Sequence, residues 1–334
     1  MEDIRIMDSG NIGFVMLCAA FVFFMTPGLS CFYGGLVRRK NAVNTMFTSV
    51  VTIATGIVMW MLIGYSLSFG PDHGGVIGDF SWFGLEGVSL TEPYVEGQGI
   101  PNMVFCLFQM MFAVITPALI TGSVAGRMKF KSLFVFLVLW SLVVYYPMAH
   151  MVWADGGFLA KIGSVDFAGG NVVHISSGIT ALTLCILLGK RYDYKRANYK
   201  IHNTPMVALG AFILLFGWFG FNAGSALAAD GLAAHAFVTT AVSSAAAMLS
   251  WMFCDVVVNK KPTFVGACTG MVAGLVGITP GAGFVPIWAA LIIGLTTSPI
   301  CFFMISWVKE KFGYDDALDA FGCHGVGGIW GGIC

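Results

Sequence analysis

The sequence predicts an all-α membrane protein that crosses the lipid bilayer ten times, as two five-helix repeats of inverted topology around a central pore. Three observations predict this fold class: an apolar composition, the placement of the basic loops, and an aspartate–histidine spacing that occurs twice. Of the 334 residues, 57% are hydrophobic and 10% are charged, whereas soluble proteins carry roughly 25% charged residues. We therefore expect an integral membrane protein.

The charge balance and the cysteines exclude several other classes. The 17 basic and 17 acidic residues cancel, which argues against a nucleic-acid-binding surface. The nine cysteines lie mostly inside apolar runs and have no CxxC spacing, so we interpret them as small core residues rather than disulfides or metal ligands. The chain opens Met-Glu-Asp-Ile-Arg and lacks the basic start of a cleaved secretory signal.

Ten apolar stretches predict the individual helices, since about 17 to 25 such residues span a bilayer. They cover approximately residues 11–36, 44–69, 102–125, 132–151, 170–188, 204–226, 234–258, 263–279, 286–307 and 317–334.

The basic residues predict the orientation of these helices. Fifteen of the 17 lysines and arginines follow an odd-numbered span, and only Arg5 and Lys161 fall on the other side. Because basic loops stay in the cytoplasm, we expect the N-terminus to lie outside a multi-pass protein of the cell (plasma) membrane. The loop between spans two and three is acidic and would favour cations on the outer side.

Two histidines occupy equivalent positions in the two halves. His174 and His324 each follow an aspartate, Asp166 and Asp316, by eight residues, which is about 12 Å of helix. Five spans separate the two histidines, so their helices run in opposite directions, as in the inverted repeats of transporters. Both rings are then expected near the middle of the bilayer, where they can meet.

Paired histidines at this depth favour a functional role. Ionisable groups inside a membrane usually mark a transport path, a proton relay or a cofactor. Burial should keep both rings neutral, and two neutral imidazoles can line a path for a small polar solute or a proton. The alternatives are a structural His–His bond and axial ligation of haem, which we rank lower because only two histidines lie at mid-depth.

A second group of residues lies toward the outer side on this topology. Trp153 at the end of span four and Ser225 at the end of span six, with the start of span three, could bind a small ammonium-like ion. A tryptophan face attracts cations, and a serine oxygen accepts a hydrogen bond from one. Trp153 taken alone is also typical of an interfacial belt residue. Asp166 is interpreted either as a helix N-cap or as a buried carboxylate that stabilises a cation, and the two roles are compatible.

Together these residues resemble the ammonium transporter (Amt/Mep) family, which is distantly related to the Rhesus glycoproteins. The most specific motifs are Asp-Phe-Ala-Gly-Gly-Asn-Val-Val-His, ending at His174, and Gly-Trp-Phe-Gly-Phe-Asn-Ala-Gly-Ser, ending at Ser225. The resemblance implies that Trp153, Ser225 and Phe112 recruit ammonium and that Phe112 and Phe221 form a gate. It also implies that His174 and His324 line the pore and that Asp166 supports the outer face. Trp153 and Ser225 favour the Amt branch.

The resemblance also implies a single membrane domain over residues 1–334, with repeat one at about 11–188 and repeat two at about 204–334. The family has eleven spans, so a last helix and a cytoplasmic tail are expected beyond Cys334. A homotrimer with one pore per subunit is implied, in contact with membrane lipid. A PII-type regulatory protein could dock on the tail. No cofactor, metal or enzymatic activity is expected.

The expected mechanism follows from desolvation, because a bare cation in an apolar pore is costly and neutral ammonia is not. Ammonium would bind outside and lose its proton near the gate and Asp166, and ammonia would pass the two histidines. The proton is then either released or relayed by the pair. An ammonium sensor that signals through a C-terminal domain is the alternative on the same scaffold, and a haem-bearing redox subunit is the alternative from another class.

Overall fold

A computed structural model describes residues 7–194, 196 and 199–334. The regular structure of these residues is helical, apart from one isolated bridge between His73 and Ile77. We number ten principal helices along the chain: α1 Ser9–Leu36, α2 Arg39–Phe69, α3 Asn102–Thr121, α4 130–153, α5 Gly170–Leu188, α6 Thr204–Gly224, α7 Gly231–Asn259, α8 Phe264–Ile278, α9 Ile287–Phe312 and α10 321–333. A single turn, Phe158–Lys161, follows α4.

Each predicted span coincides with one of these helices. Eight of the helices within the described residues are long and apolar enough to cross a membrane. Helix α8 has 15 residues, and α10 begins at Phe321 rather than at residue 317. That later start has a local cause, since Asp319 adopts a left-handed conformation (φ 60°) and Asp316 accepts a hydrogen bond from the Phe321 N–H. The fold class is thus confirmed, while the count of ten membrane crossings and the layout of the repeats stay predictions.

Glycine allows several helix pairs to approach closely. Helix α1 packs along α6, and a Cβ atom at Gly210 would overlap the backbone of Gly28 and Phe32. Helix α8 packs on α7 in the same way, because a Cβ at Gly270 or Gly274 would overlap Trp251 or Ala247. Small residues commonly serve this purpose between membrane helices.

The loops form two chemically different faces. Residues 70–101 join α2 to α3 and carry five carboxylates, so we call this side the acidic face. The connections after α1, α3 and α5 carry most of the arginines, and we call that side the basic face. Ion pairs join its loops to each other: Arg38 contacts Asp193 at 2.6 Å, and Arg191 contacts Asp315 at 2.6 Å.

Candidate functional site: paired histidines between two cavities

The two predicted histidines meet in the interior of the helix bundle. Nδ1 of His174 lies 3.3 Å from Nδ1 of His324, and the ring planes are 15° apart. Both side chains are buried. One Nδ1 donates and the other accepts, which two neutral imidazoles can do. Among the described residues, no further histidine, cysteine, aspartate or glutamate joins the pair in a group of three that could hold a metal ion.

The local helix geometry at the two histidines is equivalent. Each histidine lies in a π-helical turn that opens its helix, Gly170–Ile175 in α5 and Phe321–Gly325 in α10. Similar turns occur within α2, α4 and α9, so these two are distinguished by the buried histidine that each of them carries. Glycines four residues later hold the helices together: Gly178 packs against the backbone of His324 and Gly325, and Gly328 packs against Cβ of His174. The reciprocal contacts bring the Nδ1 edges of the two rings together.

Asp166 organises the start of α5. Its two carboxylate oxygens accept hydrogen bonds from four consecutive backbone N–H groups, those of Gly169, Gly170, Asn171 and Val172. These are the groups that a helix start leaves without a partner. Burial raises the pKa of Asp166 to about 6, and the four donors limit that rise. The side chain is therefore ionised at neutral pH and holds the turn that carries His174.

The predicted aromatic residues converge at the acidic face. Trp153, Phe112 and Ser225 line one cavity of about 150 Å³. The Trp153 ring meets Phe112 edge-on with centroids 5.8 Å apart, and its Nε1 donates to the Asp166 carbonyl. Ser225 Oγ donates to the Phe221 carbonyl at 2.9 Å, which leaves its lone pairs able to accept a hydrogen bond from a bound cation.

Two phenylalanines close the floor of this cavity. The ring centroids of Phe112 and Phe221 are 4.3 Å apart, and both side chains are buried. Phe221 in turn stacks on His174 with centroids 6.0 Å apart. A second cavity, of about 220 Å³, is lined by His324 and opens between the loops of the basic face. A continuous row of rings thus connects the two cavities: Phe112, Phe221, His174 and His324.

Trp218 was not among the predicted site residues. Its ring stacks on His174 with centroids 5.2 Å apart and planes at 17°. Its Nε1 donates to Thr279 Oγ1 in α8 at 2.9 Å. A buried indole N–H normally has a hydrogen-bond acceptor, as Trp218 has in Thr279. A tryptophan in the middle of a span is therefore the sequence signal that could have indicated a buried role for Trp218.

Gln109 was also missed as a site residue. It lies on α3 one turn before Phe112 and lines the same cavity as Trp153 and Ser225. Its Oε1 atom is buried and has no hydrogen-bond partner among the described residues. An acceptor without a partner in an apolar helix is costly. A lone amide side chain in an apolar span was the available signal.

Comparison with known proteins agrees with this architecture. Residues 13–334 match the family described as the Ammonium Transporter Family. The chain belongs to the ammonium transporter family. An ammonium transporter of Bacillus subtilis is 49% identical over 98% of this chain and 80% of its own. The crystal structure of Saccharomyces cerevisiae Mep2 superposes with a TM-score of 0.91, at 38% identity over 99% of this chain and 76% of that one.

A structure titled "Sensor Amt Protein" also superposes, with a TM-score of 0.91 and 29% identity, over all of this chain and 83% of its own. The Mep2 structure and this sensor protein therefore share the helix arrangement of this chain. The sequence identity is higher to the Bacillus subtilis protein named an ammonium transporter (49%) than to the sensor protein (29%).

Proposed function

We propose that this protein moves ammonium or ammonia across the cell membrane. The observation that carries the proposal is the direct contact between His174 and His324, buried between two cavities. Relatives named ammonium transporters at up to 49% identity support it. The carried solute must be small, because the row of rings between the cavities leaves no wide channel.

The cavity at the acidic face is the proposed recruitment site. Trp153 and Phe112 present aromatic rings to a cation, and such contacts contribute about 0.5–2 kcal/mol. Ser225 and Gln109 line the same cavity. Ser225 Oγ supplies one hydrogen-bond acceptor, and we propose that the buried Oε1 of Gln109, which has no partner among the described residues, turns toward a bound cation as a second. Ammonium has four N–H donors and fits this combination, whereas sodium ions lack directional donors.

The phenylalanine gate is the proposed point at which the proton leaves. A cation that passes Phe112 and Phe221 would lose its acceptors and enter an apolar passage, which is costly, while neutral ammonia is not penalised in this way. Asp166 acts from a distance in this scheme. Its oxygens are occupied by four backbone N–H groups, so it stabilises positive charge at the mouth and fixes α5 rather than taking the proton directly.

The histidine pair is the proposed path beyond the gate. Ammonia accepts and donates hydrogen bonds, and the two imidazoles offer both kinds of partner. The same pair can pass a proton from one ring to the other through the Nδ1–Nδ1 contact. Conduction of ammonia alone moves no net charge, whereas the relay makes transport electrogenic.

Uptake of radiolabelled methylammonium into proteoliposomes, with currents recorded on supported membranes, tests the proposal. We expect uptake by the wild type and loss of current in His174→Ala and in His324→Ala. If each variant keeps both uptake and current, the relay is refuted. If the wild type itself takes up no methylammonium or ammonium, the transport function is refuted, and the sensor role becomes the better explanation.

The assembly follows as part of the same proposal. The acidic face, with the N-terminus, lies outside the cell and the basic face lies in the cytoplasm, as the positive-inside rule requires.

Residues 11–188 and 204–334 form the two repeats of one membrane domain. The protein forms a homotrimer in lipid, and a PII-type protein is its proposed regulatory partner. The protein catalyses no covalent conversion.

A further inference from the structure

A buried histidine at the acidic face lies outside the proposed pore. His150 is in the last turn of α4 and is fully buried. Its Nδ1 lies 3.1 Å from the Ser68 carbonyl at the end of α2. Its Nε2 lies 3.0 Å from Oδ1 of Asp72 in the loop that follows.

The Ser68 carbonyl and the Asp72 carboxylate determine how many protons the His150 ring needs in order to bond to both of them. A carbonyl oxygen can only accept a hydrogen bond, and so can an ionised carboxylate. A neutral imidazole has one N–H and can therefore serve only one of the two partners. Both contacts are hydrogen bonds only when the pair holds one more proton, as an imidazolium facing a carboxylate. The His150 hydrogen bond lowers the pKa of Asp72 below its ordinary value, which favours this distribution of charge.

The same helix end carries the recruitment residue Trp153. Trp153 follows His150 by three residues, and α4 ends there because Ala154 adopts an extended conformation (ψ 153°) while its N–H makes the last helical bond, to the His150 carbonyl. The segment after α4 is hydrogen-bonded to the acidic-face loop that contains Asp72. The Phe158 N–H donates to the Gly75 carbonyl, and the Gly75 N–H donates to Asp72 Oδ1. Asp72 and His150 therefore fix where this helix end lies relative to the acidic-face loop.

We propose that His150 and Asp72 share a proton that positions Trp153 for cation binding, so that affinity for ammonium depends on external pH. His150 is a positioning residue in this scheme and does not touch the solute. The inference rests on the proposed transport function and names a regulation of its recruitment site. While the pair holds its proton, both hydrogen bonds form. When the proton leaves at higher pH, one bond is lost and the end of α4 loosens.

The other charged groups near the pair are few. Lys161, in the turn after α4, places Nζ 3.7 Å from Asp72 Oδ2. Within the loop, the charge of His73 acts on Asp79, whose carboxylate is bonded to Ser81. Asp155 follows α4 directly, and Tyr65, Tyr145 and Tyr146 lie on the packed helices α2 and α4. Asp72 is the one carboxylate recorded within hydrogen-bond distance of His150 among the described residues.

Methylammonium uptake by the full chain in proteoliposomes tests the proposal, with external pH varied from 6 to 9 and concentrations corrected to the protonated form. For the wild type we expect KM to rise about three- to tenfold with pH, the size of one lost hydrogen bond, while the maximal rate changes little. Asp72→Asn removes the negative charge that stabilises an imidazolium at His150. The pH at which KM has risen halfway should therefore fall by about one pH unit or more. Glu86→Gln removes the same charge from an exposed position in the same loop and should leave the midpoint in place.

The outcomes separate the possible failures. A KM that is raised equally at every pH in Asp72→Asn, or a midpoint that does not move, overturns the proposal and leaves a merely structural contact. The second measurement needs no variant and no transport: nitrogen NMR of the wild type labelled at histidine. We expect the His150 ring to carry two N–H groups under the conditions in which uptake has its low KM, and a ring with one N–H group under those conditions overturns the proposal. Absence of uptake together with two N–H groups would refute the transport function alone.

Discussion

At the scale of single residues, Asp166 illustrates how one side chain serves the whole pore. Each of its oxygens accepts two backbone N–H groups, and the carboxylate is enclosed by protein. An ordinary N-cap satisfies one or two donors with one oxygen. This carboxylate therefore does more than an ordinary cap, and its charge and both its oxygens matter.

Replacing Asp166 by asparagine should lower stability and transport together. One oxygen remains for two of the donors, but the new NH₂ group faces the other two. A buried donor left without an acceptor costs about 1–3 kcal/mol. We expect Asp166→Asn to lower the free energy of unfolding by about 2 kcal/mol or more, measured in detergent, and to reduce methylammonium uptake.

The chain offers a matched control in Asp230, which caps α7 with a single oxygen bonded to Leu232 and Ala233. Asparagine caps helices about as well as aspartate, so Asp230→Asn should change little. Equal effects of the two substitutions would contradict the special role of Asp166.

Gln109 provides a test of cation recognition at the same scale. Replacing it by methionine keeps the size of the side chain and removes the acceptor. We expect KM for ammonium to rise about ten- to a hundredfold, because hydrogen bonds to charged groups contribute about 1.5–3 kcal/mol, with little change in maximal rate. Met110→Leu, at the next position of α3, is the control. A maximal rate that falls while KM stays constant would place Gln109 outside the recruitment site.

Residue types and spacing predicted the histidines, the aromatic residues and Asp166, because ionisable groups in apolar spans are few. They could not predict Gln109 or Trp218 as site residues. Gln109 is distinguished by an oxygen that no neighbour satisfies, and Trp218 by a ring stacked on His174. Both properties depend on residues far apart in sequence, which one chain read alone does not bring together.

At the scale of helices, apolar length located all ten segments, whereas their ends depended on capping. Helix α10 begins four residues later than predicted, because the apolar run continues through Ala317 and Leu318 while the backbone turns at Asp319. The π-helical turns around His174 and His324 were not foreseen either. A π-helical turn has the same composition as the α-helix around it and is set by packing.

Helix contact at the histidine pair can be tested through Gly178. A Cβ at this position would overlap the backbone N and Cα of Gly325, so alanine must push α5 and α10 apart. We expect Gly178→Ala to lower methylammonium uptake at least about tenfold, since overpacking a tight interior costs about 1–3 kcal/mol.

Gly13→Ala is the control within α1, where a Cβ meets no atom within 4 Å. Alanine favours helix over glycine, so this variant should transport normally. Normal transport in Gly178→Ala would show that the histidines do not need this close approach.

At the scale of the whole molecule, an ion pair on the basic face joins the two halves. Arg191 lies just after α5 and donates to both oxygens of Asp315, just before α10. Asp315 is fully buried. The composition predicted the membrane fold, and the orientation inferred from the basic loops stays a prediction. Neither could predict which charges pair across the halves.

Removing Arg191 should destabilise the protein in a pH-dependent way. Burial alone would raise the pKa of Asp315, but hydrogen bonds and the charge of Arg191 hold it below its ordinary value of 3.8. The pair therefore contributes its full stability above pH 3.8 and loses it as pH falls through the lowered pKa. We expect Arg191→Met to cost about 3 kcal/mol at pH 7, seen as a lower Tm, and the difference from wild type to narrow as pH falls.

Lys200→Met removes one positive charge from an exposed position in the same loop and should leave Tm unchanged, because exposed charges contribute little. An equal decrease in Tm in Arg191→Met and Lys200→Met would show that net charge, rather than the contact with Asp315, determines the stability.

The contact between the rings of Phe112 and Phe221 has a consequence for the energy supply of a cell. Their centroids are 4.3 Å apart, so no water molecule fits between the two rings. Protons therefore cannot cross this point by hopping along a chain of water molecules. With its rings in this position, the proposed pore preserves a proton gradient across the membrane.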